Sequence, residues 1–432
     1  MTHRLPFSDG SRGTPIEIQI GGSSVRAYQA ESVAAAAIAS GTRVLSRSLK
    51  YHRPRSFFCL EGHCSGCLMR IDGIPNVRAC QTPCRPGTVA AAQNAFPSAE
   101  IDLLGAVDFL FTRGLDQHTL MTRSSTLNML ANKVVRQLSG LGTLPDRATG
   151  SIADVVDRTV DVCVIGGGPA GLAAATACAH AGLRTLLVDD QLRLGGSLRA
   201  DTTASAGSAD AKVADAIAAG VEPFERSTAI GYFPDDGGVL AIASPSHLAR
   251  VHARGWIWAT GAYAVNLPFD DNDRPGVIAA RAVARLLVDH HILAGERVCI
   301  VENPQLEKAT TSLATALSRA GAEVVRVAAE ETFGAKGRGW VSSVETARGR
   351  IDCDLVAVAA IPAPASEGAR QQGCKVVLDP AAGGFRVVTD ANGQATTANT
   401  WACGDVTGYL GPERAADDGL RVGRNVIAEL GK

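Results

Sequence analysis

The chain has 432 residues, with 42 Lys and Arg against 43 Asp and Glu, for a formal net charge of -1. Such an even balance argues against nucleic acid or an anionic membrane surface as the main partner, and 46% hydrophobic residues argue against disorder. Aromatic residues are only 5% while glycine reaches 46, which suits packed α/β layers of small side chains with tight turns, in two or three domains.

Met1 to Gly13 lacks the apolar run of a targeting segment. The longest small-residue runs, Ala34 to Ala39 and Ala170 to Ala181, are too short or too polar to span a bilayer. The expected compartment is the cytoplasm, where cysteines serve as ligands or inert hydrophobes more often than as disulfides. Ile16, Ile18 and Ile20 alternate up to Gly21-Gly22-Ser23-Ser24, and Val25 and Ala27 follow, which predicts a β-hairpin. Ser32 caps an Ala-rich helix that Gly41 closes. A basic loop, Lys50 to Arg55, leads into five of the 11 cysteines, between Cys59 and Cys84. Two short strands, Cys67 to Ile71 and Val77 to Cys80, flank the turn Asp72-Gly73. Hairpin, helix, loop and hairpin are the order of a small β-grasp domain, residues 1–100. Between 101 and 157, Leu127, Leu130, Val134, Leu138 and Leu141 recur at helical spacing and predict a helical connector.

From 158 to 432 strands and helices alternate. Val160 to Ile165, a glycine turn, the helix Pro169 to Ala181 and the strand Thr185 to Val188 form one βαβ unit; Val298 to Val301, Glu307 to Arg319 and Glu323 to Val327 form a second.

Cys59, Cys64, Cys67 and Cys80 have the spacing C-x4-C-x2-C-x12-C, whose first three positions fit a plant-type [2Fe–2S] loop. Two sulfide-bridged irons need four converging thiolates, and glycines at 62 and 66 let the backbone curl with amide N–H groups toward sulfur. A zinc site also accepts four Cys, though usually as two distant C-x2-C pairs. Cys84 is a spare fifth thiol beyond Pro83, and the remaining six are scattered one per element, as small buried hydrophobes are.

Gly166, Gly168 and Gly171, with Pro169 and Ala170 between them, form GxGxxG directly after a strand and opening a helix. Its glycines let the backbone approach a pyrophosphate at the helix N-terminus. Asp189 ends the next strand, 23 residues after Gly166, where it can meet a ribose hydroxyl and disfavours a 2′-phosphate. Ala259-Thr260-Gly261 and Gly404-Asp405 each end a strand and would return the chain to the nucleotide, Asp405 near the phosphate–ribityl arm of a flavin. In the second βαβ unit Glu302, Pro304 and Glu307 stand where three glycines would be. Two carboxylates and a missing amide donor oppose phosphate binding, so that lobe is expected to keep a Rossmann shape without a nicotinamide nucleotide.

These motifs, with Arg47-Ser-Leu-Lys50-Tyr51-His52-Arg53-Pro54-Arg55, Gln93-Asn94 through Pro97-Ser98, Gly105-Ala106-Val107, Leu194 to Leu198 and Asn272-Asp273-Arg274-Pro275-Gly276-Val277, resemble the N-terminal half of the α subunit of heterotetrameric sarcosine oxidase. The cysteine loop with Pro75 to Pro83 is similar to the small ferredoxin-like subunit of hydrogen cyanide synthase, opine oxidase and related amino-acid dehydrogenases. The resemblance implies an α/β chain: a β-grasp [2Fe–2S] ferredoxin-like domain, then a two-Rossmann-lobe, disulfide-reductase-like FAD/NAD(P)-binding fold, its degenerate second lobe inserted at about 264–385. It adds Asp190, Gly195, Gly196, Ser197 and Leu198 to the cofactor-binding residues. The implied cofactors are a [2Fe–2S] cluster and FAD, with NAD or ATP as alternatives at the same site, and FMN at a subunit interface as a further flavin of such assemblies. The implied role is an electron-transfer subunit beside a β subunit whose FAD oxidises a small amine or amino acid, with small additional subunits compatible. Alternatives are a self-sufficient NADH-dependent flavin–iron–sulfur oxidoreductase or a nucleotide-stabilised scaffold. The chain runs to Lys432 without an aminomethyltransferase-like half, which favours a dehydrogenase over folate-coupled demethylation. His52, His63, His118, His180 and His247 stand isolated, so no catalytic residue is assigned.

Overall fold

A computed structural model of the chain describes residues 4–6, 13–29, 31–48, 51–95, 98–103, 126, 129, 154–205 and 207–431. The chain divides into two compact units: residues 1–150, 267–302 and 314–358 form one, and residues 151–266, 303–313 and 359–432 the other.

The first unit opens with a five-stranded sheet in the order Ser23–Tyr28, Pro15–Ile20, Val89–Ala91, Leu68–Ile71, Ile74–Arg78. Its first hairpin pairs Ile18 with Val25 and Ile20 with Ser23. The buried Ile18 and Ile20 alternate with exposed Glu17 and Gln19, as a half-buried strand requires. Helix Val33–Ala39 is capped by the Ser32 hydroxyl, which accepts the Ala35 N–H at 3.2 Å, and all seven of its residues are buried. Five of them are alanines, so this helix can lie close to its neighbours. The strand predicted to end at Cys80 stops at Arg78, and Cys80 instead sits in the 3-10 turn Ala79–Gln81. That turn is tied to the cysteine loop where Ala79 N–H donates to the Cys67 carbonyl at 3.1 Å.

The same unit contains a sheet in the order Val277–Ala279, Leu355–Ala359, Arg297–Glu302, Glu323–Ala328. Val277–Ala279 runs parallel to its neighbour, and Arg297–Glu302 parallel to Glu323–Ala328. The helix Ala280–Val288 follows the first strand directly. This lobe was expected over 264–385; the compact unit closes at Val358, and residues after it cluster with the other unit. There Gly368, in the helix Glu367–Gln371, lies against the Trp258 ring: a Cβ on it would come 2.4 Å from that ring.

The second unit is built on a sheet in the order Glu222–Phe224, Thr185–Val188, Asp154–Ile165, His247–Trp258, Val239–Ala243, Thr228–Phe233, with Thr400–Ala402 also pairing His247–Trp258. The strands around Asp154–Ile165 are parallel. Val162 to Ile165 and Thr185 to Val188 are buried without alternation, as a parallel strand covered on both faces must be. The strand begins at Asp154, inside the stretch expected as connector, because Asp154 to Asp157 pair with His247 to Arg250. The rest of the predicted connector helix lies outside the described residues, apart from the helical Thr126 and Met129. Helix Pro169–His180 packs against the long helix Pro412–Leu430. Among the described residues no helix is long and apolar enough to cross a membrane.

Candidate functional sites

The cysteine loop is shaped by its backbone. Leu60 and Gly62 adopt positive φ of 55° and 79°, and a Cβ on Gly66 would fall 2.2 Å from the Ser56 carbonyl oxygen. Only glycine lets the chain fold back this tightly. The sulfurs then fall into two pairs. The Cys59 thiol donates to the Cys64 sulfur at 3.4 Å, and Cys80 donates to Cys67. Cys59, Cys67 and Cys80 are buried and Cys64 lies at the half-buried edge. Amides converge on all four: Glu61 N–H donates to Cys59 at 3.4 Å, Gly62 to Cys80, Ala79 to Cys67, and Phe58 and Gly66 to Cys64.

In each pair one thiol is lowered and its partner raised. The hydrogen bond from Cys59, with the surrounding amides, holds Cys64 down at about 5. The hydrogen bond from Cys80 lowers Cys67. Their donors Cys59 and Cys80 are pushed up, first by that hydrogen bond and then by burial. Among the described residues no three His, Cys, Asp or Glu side chains are arranged around a single ion. Two pairs of thiols with amides on every sulfur suit a dinuclear iron–sulfur cluster better than one tetrahedral zinc. Cys84 stands apart: its N–H donates to the Glu31 carbonyl at 2.9 Å, and burial, then the Glu31 charge, push its thiol up to about 12. The six scattered cysteines are all buried, and burial pushes each of them up.

In the second unit the glycine turn is brought together with the other predicted segments. A Cβ on Gly166 would meet the Ala259 carbonyl oxygen at 2.2 Å, and one on Gly171 the Gly166 carbonyl oxygen at 1.8 Å. The first and last glycines thus lock helix Pro169–His180 onto the strands. The middle one, Gly168, is different: its nearest neighbour would be the Gly196 Cα at 3.9 Å. It caps the helix beside an open face, where a pyrophosphate can come close to backbone N–H groups. Pro169 and Ala170 fill the first helical turn. Gly195 N–H donates to the Gly167 carbonyl at 2.8 Å, which seats Gly195, Gly196, Ser197 and the buried Leu198 against the turn.

Asp189 is half-buried at the strand end; its carboxylate accepts the Gly167 N–H at 2.5 Å and the Gln191 N–H at 2.8 Å. Asp190 is exposed and accepts from the Gln191 amide at 2.7 Å. Ala259 N–H donates to the Ile165 carbonyl at 2.8 Å, Thr260 Oγ1 donates to the Ala365 carbonyl at 2.7 Å, and Gly261 turns the chain at φ 71°. Gly404 lies over the helix, a Cβ on it coming 2.7 Å from the Ala170 Cβ. Asp405 is 8% exposed and accepts the Leu410 and Gly411 N–H groups at 2.9 and 3.3 Å. Sequence reasoning missed Asp418, which accepts the Gly404 N–H at 2.9 Å from the packing helix; no motif spacing links the two.

The predicted loss of the second glycine fingerprint has a local structure too. Glu302 is held by Arg326 at 2.9 Å. The Asn303 side chain accepts the Gln305 N–H at 3.0 Å, over a 3-10 turn Pro304–Leu306. The Gln305 amide in this turn is already bound. Of the isolated histidines, His52 is paired through Nδ1 with Asp102 at 2.7 Å, and His247 meets Ser244 and Ser246 at 3.0 Å each. His118 lies outside the described residues.

Residues 13–95 match a 2Fe-2S iron-sulfur cluster binding domain, and residues 161–222 match an FAD dependent oxidoreductase. The chain is 31% identical over 355 residues to the sarcosine oxidase subunit alpha of Rhizobium meliloti (strain 1021), an alignment covering 76% of this chain and 35% of that one. Its front part is 39% identical over 84 residues to the hydrogen cyanide synthase subunit HcnA of Pseudomonas aeruginosa, covering 19% of this chain and 80% of that subunit. The chain thus spans about a third of the sarcosine oxidase subunit it matches. The fold is similar to the crystal structure of L-proline dehydrogenase from P. horikoshii, with a TM-score of 0.73 at 18% identity over 97% of this chain and 74% of that one. With its buried thiol pairs at one end and its glycine cradle further along, the chain is similar to sarcosine oxidase α subunits over part of their length, and joins a 2Fe–2S ferredoxin-like domain to an FAD-dependent oxidoreductase fold.

Proposed function

We propose that this chain is the electron-transfer and nucleotide-binding α-type subunit of a multi-subunit dehydrogenase acting on the CH–NH or CH–NH2 group of a small amine, imino acid or opine. In this reading the substrate is oxidised at the flavin of a partner β subunit. FAD and a 2Fe–2S cluster supply, when bound, the conversion of a two-electron donor into one-electron steps. Cys59, Cys64, Cys67 and Cys80 would hold the cluster. Gly166, Gly168 and Gly171 at the helix N-terminus would hold the pyrophosphate, Asp189 the ribose, and Asp405 the ribityl end; Gly195 to Leu198, Ala259 to Gly261 and Gly404 close the cradle.

One observation carries the reading: two paired, amide-ringed thiol pairs share a chain with one open glycine cradle and a second fingerprint filled by Glu302, Pro304 and Glu307. In this reading such a chain stores and passes electrons, and its second turn, filled by these residues, is no seat for a pyridine nucleotide. The test is anaerobic spectroscopy of the chain alone and with the subunits that co-purify with it. An amine or imino acid should bleach the cluster only in the assembled complex. Bleaching of the isolated chain by the amine would overturn the division of labour. A chain that purifies without iron, acid-labile sulfide or an adenine-containing flavin would overturn the reading itself.

A further inference from the structure

The loop between Cys59 and Cys64 is gripped from outside its own sheet. Glu61, only 5% exposed, places Oε1 3.3 Å from Nη2 of Arg281 and 3.6 Å from Nη2 of Arg285. These arginines lie one turn apart on the helix Ala280–Val288, at the start of the lobe that lost its glycine fingerprint. Arg285 is itself buried, at 8%. The junction is reinforced beside them. Ala279 N–H donates to the Phe58 carbonyl at 3.1 Å, and Asp273 receives Arg53 at 3.2 Å and Arg55 at 3.1 Å. A carboxylate this far from water is strongly disfavoured unless paired, so the grip on Glu61 is firm.

What Glu61 anchors is the part of the loop that faces sulfur. Its own N–H donates to Cys59 at 3.4 Å, and the next amide, of Gly62, donates to Cys80. One hydrogen bond therefore reaches each thiol pair from this dipeptide. Resting on the reading that the four thiols hold a 2Fe–2S cluster, we infer that Glu61, Arg281 and Arg285 form an ionic latch through which the second lobe sets the cluster's reduction potential. The reduced centre carries one more negative charge than the oxidised one. N–H donors held on the sulfurs and two guanidinium groups beside the loop favour that extra charge, and so raise the potential. All three are positioning residues.

The test is a redox titration of the full-length holoprotein, followed by electron paramagnetic resonance, with iron and acid-labile sulfide measured on the same samples. Arg281→Gln and Arg285→Gln should each lower the ratio of reduced to oxidised centre at fixed potential by on the order of tenfold, about 59 mV for a one-electron couple. Iron content should not change, and Arg281→Lys and Arg285→Lys should restore most of the potential. In a Glu61→Gln background the same arginine changes should shift it by less than half as much. An unmoved potential at full iron content overturns the latch. So does an equally large shift without Glu61, since the arginines would then act as separate point charges. If Arg285→Gln fails to fold, the more exposed Arg281 carries the test. A wild-type chain lacking iron and sulfide would overturn the reading of the thiols instead.

Discussion

Cys80 and Cys84 are four positions apart, both buried, and have different chemistry. Cys80 donates to Cys67 and accepts the Gly62 N–H. Cys84 is anchored through its backbone to Glu31, and its thiol is pushed up to about 12. A cluster ligand has to stand beside the other ligand sulfurs, as Cys80 does beside Cys67 and Cys84 does not. Cys80→Ser is therefore expected to abolish the visible absorption of the cluster and at least half of the bound iron and sulfide, while Cys84→Ser keeps both; metal and sulfide analysis of the two variants decides. Loss of iron from Cys84→Ser with retention in Cys80→Ser would reverse the assignment. The residues best read from sequence at this scale are those whose chemistry depends on spacing along the chain: the cysteines and the glycines of one turn. Glu61 with Arg281, or Gly404 with Asp418, gave no sequence signal, because their partners are brought in by packing across distant segments.

At the scale of elements, the seat for a nucleotide depends on two helices that touch almost backbone to backbone. A Cβ on Gly419 would come 2.0 Å from the Ala170 carbonyl oxygen, and one on Gly423 would come 3.0 Å from that of Ala174. Helix Pro412–Leu430 therefore rests on the first turns of helix Pro169–His180, and Asp418 on the same helix holds Gly404. A larger residue at 419 must push the helices apart, a kind of overpacking that costs about 3 kcal/mol. Gly419→Val should lower the melting temperature by roughly 3–10 °C and release the flavin on gel filtration, while the iron content stays intact. Equal flavin retention would separate this packing from the cradle. The elements themselves were largely legible: Thr185–Val188 and Glu307–Arg319 run between the predicted residues. Boundaries slipped where pairing extends a strand beyond its apolar run, as at Asp154 to Asp157, or where a turn replaces a strand end, as at Cys80.

For the whole molecule, the order of modules states what the chain can accept. Its glycine cradle is open at Gly168, whereas the turn after Arg297–Glu302 is closed by Asn303 and Pro304 and flanked by the Glu302–Arg326 pair. NADH added anaerobically to the isolated chain should leave the flavin and cluster spectra unchanged over minutes, and tight NADH binding should be absent in calorimetry. Rapid bleaching by NADH would favour a self-sufficient reductase over a subunit fed by a partner.

The sequence by itself determined the chemistry that is local: four thiols at fixed intervals, one glycine fingerprint followed by an acid at the next strand end, and a second fingerprint ruined by charge and proline. These depend on a few consecutive residues and on the periods of strand and helix, so they survive without knowledge of the fold. Only the tertiary structure decided that the thiols pair two and two, that Cys84 turns toward Glu31, and that the inserted lobe between Leu267 and Val358 grips the cysteine loop through Glu61. The last rests on a contact between segments more than two hundred residues apart and the others on how the loop folds back on its neighbours, and neither spacing nor composition carries the distance information that packing supplies.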